Sequence, residues 1–197
     1  MASPLFYKLS IEKQENIKQA AIKEFSEHQL IKASINRIIK DINMPRGTFY
    51  LYFNNIEELY LELLKDVIEK ITLEFIFILK KNKGDLLITY KEIFDYIYQS
   101  NAPNKEFVKN GIKNINGQMM NDSIKKEKLE VRHQILGLID MKKLNLKEKD
   151  LKDLVSILNI ITFHHLVLIF EKGVDYELVR NKYINKLNLV MKGIYTC

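Results

Sequence analysis

Apolar residues recur with helical spacing between Ser34 and Phe53 and predict two short helices joined by a tight turn. Four isoleucines at i, i+3, i+4 and i+7 give the first helix a buried face; they are Ile35, Ile38, Ile39 and Ile42. Ser34 is placed to cap this helix through its hydroxyl. Asn43 tolerates the left-handed conformation that ends helices, and Pro45 favours a new first turn. The segment is therefore a predicted helix-turn-helix.

The second predicted helix has a buried face and an outward face. Phe49 and Phe53, four residues apart, point toward the isoleucines, and Met44 fills the turn. Gly47 costs helix stability but lets the backbone come close to another molecule. The outward side carries a guanidinium group, a hydroxyl and two phenols, from Arg46, Thr48, Tyr50 and Tyr52. These groups suit the phosphates and base edges of a DNA major groove, so this is the predicted recognition helix.

The run PRGTFYLYF, preceded by IIKDINM and followed by NNIEEL, closely resembles the DNA-binding segment of the TetR family of bacterial transcriptional regulators. The resemblance covers roughly residues 10–65. Asn43 stands where the family usually has glycine, and Ile56 where many members have lysine. Arg37 replaces an acidic residue that often completes a capping box with Ser34, so the cap is expected to be one-sided. The predicted DNA-binding residues are Ser34, Arg37, Lys40, Arg46, Gly47, Thr48, Tyr50 and Tyr52.

The charge of the chain gives the DNA prediction only weak support. The 197 residues carry a formal net charge of +6, with a pI near 9.1. Residues 30–53 have a local net charge of +3, but residues 1–65 together have only +1. Most of the positive surplus therefore lies outside the predicted DNA-binding segment, where scattered lysines are typical of solvated helix faces. The motif, rather than the charge, carries the prediction.

The remaining pattern predicts an all-α fold with two domains. A stripe from about Ser10 to Glu27 completes a three-helix core; its buried members are Ile17, Ala20, Ala21 and Phe25. Asn55 and Glu58 form a start resembling a capping box for a fourth helix. The prediction assigns residues 1–54 to DNA binding and residues 55–197 to effector binding and dimerisation. The resemblance implies that the fourth helix links the two domains.

A dimer is predicted through the last two helices. Residues 154–170 carry no formal charge, but they are too polar and too short for a membrane span. With a last helix from Tyr176 to about Ile194 they form a hairpin, and the resemblance implies a four-helix bundle with a second copy. One short recognition helix also makes too few base contacts for tight specific binding. The predicted interface residues are Leu158, Ile161, His165, Leu168, Tyr183, Leu187 and Val190.

Aromatic residues and methionines of the larger domain could line a site for a small apolar effector. They are Tyr90, Phe94, Tyr98, Phe107, Met119, Met120 and Phe163. Taken singly, each is also an ordinary core residue. Three histidines of this domain, His133, His164 and His165, are likewise typical of a core or an interface rather than of a ligand or metal site.

Enzyme classes find no support in the sequence. It contains no HExxH or GxSxG motif, no phosphate-binding Gly-rich loop and only one cysteine, Cys197, so no catalysis, cofactor or metal site is expected. The N-terminus MASPLFYKLS does not resemble a signal peptide, which predicts a cytoplasmic protein without membrane partners. The resemblance implies a repressor that binds a pseudo-palindromic operator as a homodimer and is released by an effector. The alternative is a co-regulator that kept the fold without reading DNA specifically.

Overall fold

A computed structural model of the protein describes residues 2–99, 105–114, 123–170 and 173–195. Regular structure in these ranges is almost wholly helical, apart from one isolated antiparallel bridge between Leu144 and Tyr195. The α-helices are α1 (Ile11–Glu27), α2 (Ile35–Asp41), α3 (Arg46–Tyr52), α4 (Ile56–Lys81), α5 (Leu86–Gln99), α6 (Lys105–Asn114), α7 (Ser123–Leu138), α8 (Leu151–Ile169) and α9 (Tyr176–Met191). The predicted all-α fold is confirmed.

The described residues form two compact units that divide within α4. Residues 2–69 and 105–114 make up the N-terminal unit, and residues 70–99, 124–170 and 173–195 make up the C-terminal unit. The boundary predicted between residues 54 and 55 divides the chain by function, whereas these units are defined by contacts between residues. The functional boundary therefore stays a prediction.

The N-terminal unit has the predicted helix-turn-helix core. The stripe of α1 is buried, as are Ile38 and Ile39 of α2 and Phe49 and Phe53 beside them. Ile35, Ile42 and Met44 are partly buried against the same cluster, as the periodicity predicts. Asn55 accepts a hydrogen bond from the Glu58 amide at 2.8 Å, which confirms the capped start of α4.

Helix α6 belongs to the N-terminal unit, which the sequence did not predict. The fully buried Phe107 ring lies 6.2 Å from the Phe25 ring and 5.6 Å from the Tyr60 ring, centroid to centroid. Asn110 donates through Nδ2 to the carbonyls of Phe25 and Ser26, at 3.0 and 3.3 Å. These carbonyls lie in the last turn of α1, where they lack hydrogen-bond partners within the helix. Helix α6 therefore packs against α1 and also supplies a donor to its terminal carbonyls.

The C-terminal unit is built around α5, α8 and α9. Tyr183 of α9 is fully buried; its hydroxyl donates to the Tyr90 carbonyl at 2.9 Å and lies 2.9 Å from the Thr162 hydroxyl. The turn between α4 and α5 contains Gly84 at φ +75°, and a side chain there would come within 2.5 Å of the Asp140 amide nitrogen. This position therefore requires glycine for two reasons, its left-handed conformation and the close backbone contact.

Candidate nucleic-acid interface

The turn between α2 and α3 sets the direction of the recognition helix. Asn43 has φ +50°, the left-handed conformation predicted for it. The Met44 amide donates to the Ile39 carbonyl at 2.8 Å, which closes the end of α2. Pro45 is the N-cap residue of α3, whose helical residues begin at Arg46. Because Phe49 and Phe53 are buried on the inner side, the opposite side of α3 faces outward.

The outward face of α3 presents an ordered guanidinium group. Exposed Arg46 donates through Nη1 to Oδ1 of Asn36 in α2 at 3.0 Å and through Nη2 to the Tyr50 hydroxyl at 3.4 Å. Its Cζ lies 5.9 Å from the centre of the Tyr50 ring. The side chain is thus held against the protein surface with its polar atoms accessible. Thr48 is partly exposed next to it.

Asn36 is a site residue that the sequence reasoning missed. It is exposed on α2, four positions before the predicted Lys40, which is exposed as well. That spacing places both side chains on one outer row of the helix. The row was visible in the helical pattern, but only the contact with Arg46 shows that Asn36 belongs to the site.

Gly47 is not required by any contact within the described part of the protein. A Cβ atom built at this position meets no heavy atom within 4 Å, and its backbone is helical. Glycine nevertheless destabilises a helix by about 1 kcal/mol relative to alanine. Packing within the described residues therefore gives no reason for glycine here.

Tyr52 is held by the N-terminal segment, another feature that the sequence reasoning missed. Ser3 donates through its amide to the Tyr52 carbonyl at 2.8 Å and through its hydroxyl to the Leu51 carbonyl at 2.6 Å. The fully buried Phe6 ring lies 6.2 Å from the Tyr52 ring and 4.9 Å from the Phe53 ring. Tyr52 is therefore partly buried, and residues 3–6 hold the end of α3.

Ser34 and Arg37 differ from their predicted roles. Ser34 is the N-cap residue of α2 as predicted, but the prediction that its hydroxyl caps the helix is wrong, because the hydroxyl makes no capping hydrogen bond. The Ser34 amide instead donates to Oε1 of Glu24 at 2.8 Å. Arg37 donates to both carboxylate oxygens of Glu24, at 2.6 to 3.0 Å. The guanidinium group that was predicted to contact a phosphate thus forms its hydrogen bonds with Glu24 of the same chain.

The predicted effector residues do not form one cluster. Tyr90 and Phe94 are buried in the C-terminal unit, where Phe94 stacks on Tyr183 at 4.2 Å and the Tyr90 hydroxyl donates to Asn159 at 2.8 Å. Tyr98 stacks on Tyr176 at 4.0 Å, and Phe163 is exposed. Phe107 belongs to the core of the N-terminal unit, which contradicts its place in the set. Met119 and Met120 lie outside the described residues.

Four predicted interface residues are already buried within one chain. Leu158, His165, Tyr183 and Leu187 are each 1% exposed or less, and they fill the contact of α8 with the rest of the C-terminal unit. A second copy has no access to these side chains, so their assignment to an interface is corrected. Ile161, Leu168 and Val190 are partly buried. The apolar residues that remain exposed on α8 and α9 are Ile157, Ile160, Phe163, Leu178 and Leu189.

Residues 148–169 are long and apolar enough to cross a membrane by length and composition alone. Core helices of soluble proteins meet the same criterion, and this segment contributes Leu158, Thr162 and His165 to the interior of the C-terminal unit. The part of the chain that the structure describes contains no group of three His, Cys, Asp or Glu side chains arranged to hold a metal ion.

Two family models match the chain. Residues 17–63 match the model described as bacterial regulatory proteins, tetR family, and residues 85–194 match the model of the tetracyclin repressor-like C-terminal domain. The first match contains α2, α3 and the turn between them, and the second contains α5, α8 and α9.

Two curated proteins of Bacillus subtilis strain 168 are similar to parts of the chain. The uncharacterized HTH-type transcriptional regulator YvdT is 54% identical over 43 residues, which are 22% of each protein. The uncharacterized HTH-type transcriptional regulator YuxN is 30% identical over 98 residues, which are 49% of this chain and 33% of YuxN. The matches therefore span a third or less of the relatives' own lengths.

Solved structures of similar fold cover nearly the whole chain. A TetR family transcriptional regulator from Pectobacterium atrosepticum has a TM-score of 0.66 and 14% identity, with 94% of this chain and 95% of that chain covered. Another from Chloroflexus aurantiacus J-10-fl has a TM-score of 0.56 and 18% identity, with both chains covered completely. Since the C-terminal model alone matches more than half of the chain, this protein belongs to the TetR family of transcriptional regulators, which are DNA-binding proteins rather than enzymes.

Proposed function

We propose that this regulator represses transcription in the cytoplasm by binding a pseudo-palindromic operator as a homodimer, and that a small apolar effector releases it. The observation that carries the DNA part is the outward face of α3, where Arg46 is ordered by Asn36 and Tyr50 beside a glycine that no internal contact requires. An ordered guanidinium group matches the two acceptors of guanine in the major groove.

The residues of this surface divide into those in the first turn of α3 and those on its flanks. Arg46, Gly47 and Thr48 lie in the first turn of α3 and are proposed to face the bases. Polar groups on the flanks are proposed to hold phosphates and to fix the register of the protein on the duplex; they are Ser34, Lys40, Tyr50 and Tyr52. Arg37, also predicted to bind DNA, is paired with Glu24, which offsets its positive charge.

Selection of bound sequences from random duplex DNA with the purified protein tests the proposal. We expect an enriched site with two inverted half-sites about one helical turn apart, because a two-fold dimer places two recognition helices on one face of DNA. Lys152→Ala is the control for a loss of positive charge alone, because it removes one exposed charge from the C-terminal unit. This variant should select the same site as the wild type. Failure to enrich any site would favour the co-regulator that does not read DNA specifically.

The homodimer is proposed to form through the exposed apolar face of α8. Ile157 and Ile160 are 45% and 66% exposed, and His164 lies on the same side of the helix. A stripe of this kind on a helix that is apolar nearly all round is typical of a contact between subunits. Leu189 of α9 is another exposed apolar side chain of this unit, at 70% exposure.

The effector is proposed to bind in the C-terminal unit and to act through α4, which contributes residues to both units. The buried aromatic residues of α5 support an apolar ligand class, because they make the interior of this unit apolar. Candidate apolar compounds can be screened for a rise in the unfolding temperature and then for release of the selected DNA site. A compound that stabilises the protein without weakening DNA binding would contradict this coupling.

A further inference from the structure

A buried carboxylate connects α1 to the start of α2. Glu24 lies in the last turn of α1, and its side chain is only 5% exposed. A carboxylate is costly to bury unless hydrogen bonds satisfy it. Its contacts therefore identify the groups whose positions depend on it.

The hydrogen bonds of Glu24 lead to the N-terminus of α2, and His28, just after α1, lies 3.7 Å away with Nδ1 near Oε1. Oε1 accepts a hydrogen bond from the Ser34 amide at 2.8 Å, and Arg37 donates to both carboxylate oxygens. Nη2 of Arg37 also donates to the Lys32 carbonyl at 2.8 Å, in the turn that precedes α2. One carboxylate thus holds the segment from Lys32 to Arg37.

We propose that Glu24 is a positioning residue that caps α2 from the neighbouring helix and so fixes the helix-turn-helix for DNA reading; this inference rests on the proposed function. The first amides of a helix lack partners within it, and an acidic residue three positions after the N-cap commonly accepts one. Arginine occupies that position here. Glu24 supplies the missing carboxylate from α1, while Arg37 balances its charge.

The other ion pair between α1 and α2 is a weaker restraint. Lys23 and Asp41 approach to 3.0 Å, but their side chains are 60% and 44% exposed. Exposed pairs contribute little because water and salt screen them. Lys23→Ala is therefore a matched control that breaks a contact between the same two helices without touching the cap.

Three variants test the inference: Glu24→Leu, Glu24→Gln and the double variant Glu24→Leu with Arg37→Glu. Binding to the selected DNA is measured by fluorescence anisotropy, and amide hydrogen exchange reports the order of α2. We expect Glu24→Leu to weaken specific binding by about tenfold or more and to expose the amides of α2, because a hydrogen-bonded charge is lost. Glu24→Gln keeps the side-chain volume and one acceptor, so it should fold and show a smaller loss. Lys23→Ala should stay within about twofold of the wild type.

The double variant moves the carboxylate to the third position after Ser34, where it can form a capping box within α2. We expect the amide protection of α2 to recover to within about threefold of the wild type. Wild-type affinity in Glu24→Leu, or a double variant whose α2 amides are no better protected than those of Glu24→Leu, would overturn the inference. If the wild type selects no DNA sequence, the proposed function fails, while amide exchange in these variants still decides whether Glu24 caps α2.

Discussion

Replacing Gly47 by alanine gives opposite predictions for the free protein and for its complex with DNA. Gly47 is the second residue of α3, its backbone is helical, and a Cβ atom there meets no heavy atom within 4 Å. An added methyl group therefore meets no steric obstacle in the described part of the protein. If the backbone lies close to DNA, the same methyl group occupies space that the complex needs.

The two effects have different expected sizes. Alanine stabilises a helix by about 0.5 to 1 kcal/mol relative to glycine, so Gly47→Ala should raise the free energy of unfolding by up to that amount. Overpacking in a tight contact costs about 1 to 3 kcal/mol, and a dimer carries two recognition helices. The affinity for the operator should then fall by about 2 to 6 kcal/mol, a factor of about 30 to 10⁴.

Chemical denaturation measures the stability change, and fluorescence anisotropy with the selected duplex measures the affinity change. Gly137→Ala is a matched control, because Gly137 is also an exposed helical glycine with nothing within 4 Å of a built Cβ atom. It should give a similar gain in stability with unchanged DNA binding. Unchanged operator affinity in Gly47→Ala would refute the reasoning that this glycine admits DNA.

Three further substitutions and one titration test other parts of the account. Arg46→Ala should weaken operator binding by about 1 to 3 kcal/mol per recognition helix while binding to random DNA changes little, as competition assays would show. Phe107→Ala should destabilise the N-terminal unit by about 3 to 5 kcal/mol in denaturation experiments, because it empties a fully buried ring site. Ile160→Asp should give monomers in sedimentation equilibrium, whereas Ile31→Asp, at the equally apolar but 89% exposed Ile31, should not. Burial raises the pKa of the Glu24 carboxyl, but the hydrogen bonds from Arg37 and from the Ser34 amide outweigh burial and hold that pKa below its usual value. The stability that the ionised carboxylate contributes is therefore present above the usual carboxyl pKa and is lost as the pH falls through the lowered pKa. Thermal melts as a function of pH should show a smaller acid loss of stability in Glu24→Gln than in the wild type.

The helix-turn-helix could be predicted because its determinants are local. The spacing of the isoleucines, the left-handed preference of asparagine and the fixed φ of proline act within a few residues, and each predicted its observed element. The outward direction of α3 followed from Phe49 and Phe53 alone. The order of Arg46 did not, because its partner Asn36 lies on a different helix.

Contacts between distant segments could not be predicted from the pattern. The sequence pattern placed Phe107 among the residues of a possible effector site and did not reveal that it enters the core beside Phe25. The contact between Glu24 and Arg37 joins two helices whose charged residues look like ordinary surface positions. Leu158 and Ile160 both belong to an almost wholly apolar helix, and such a pattern does not distinguish the face buried within the chain from the exposed face.

The ratio of two affinities measures whether the protein reads DNA sequence specifically. The dissociation constants for the selected site and for a shuffled duplex of equal length are measured with the wild-type protein at about 0.15 M salt, where screening limits contacts that depend on charge alone. We expect the selected site to bind at least about 10³-fold more tightly than the shuffled duplex. Equal affinities for the two duplexes would contradict specific reading and would mean that α3 contacts only the sugar–phosphate backbone of DNA.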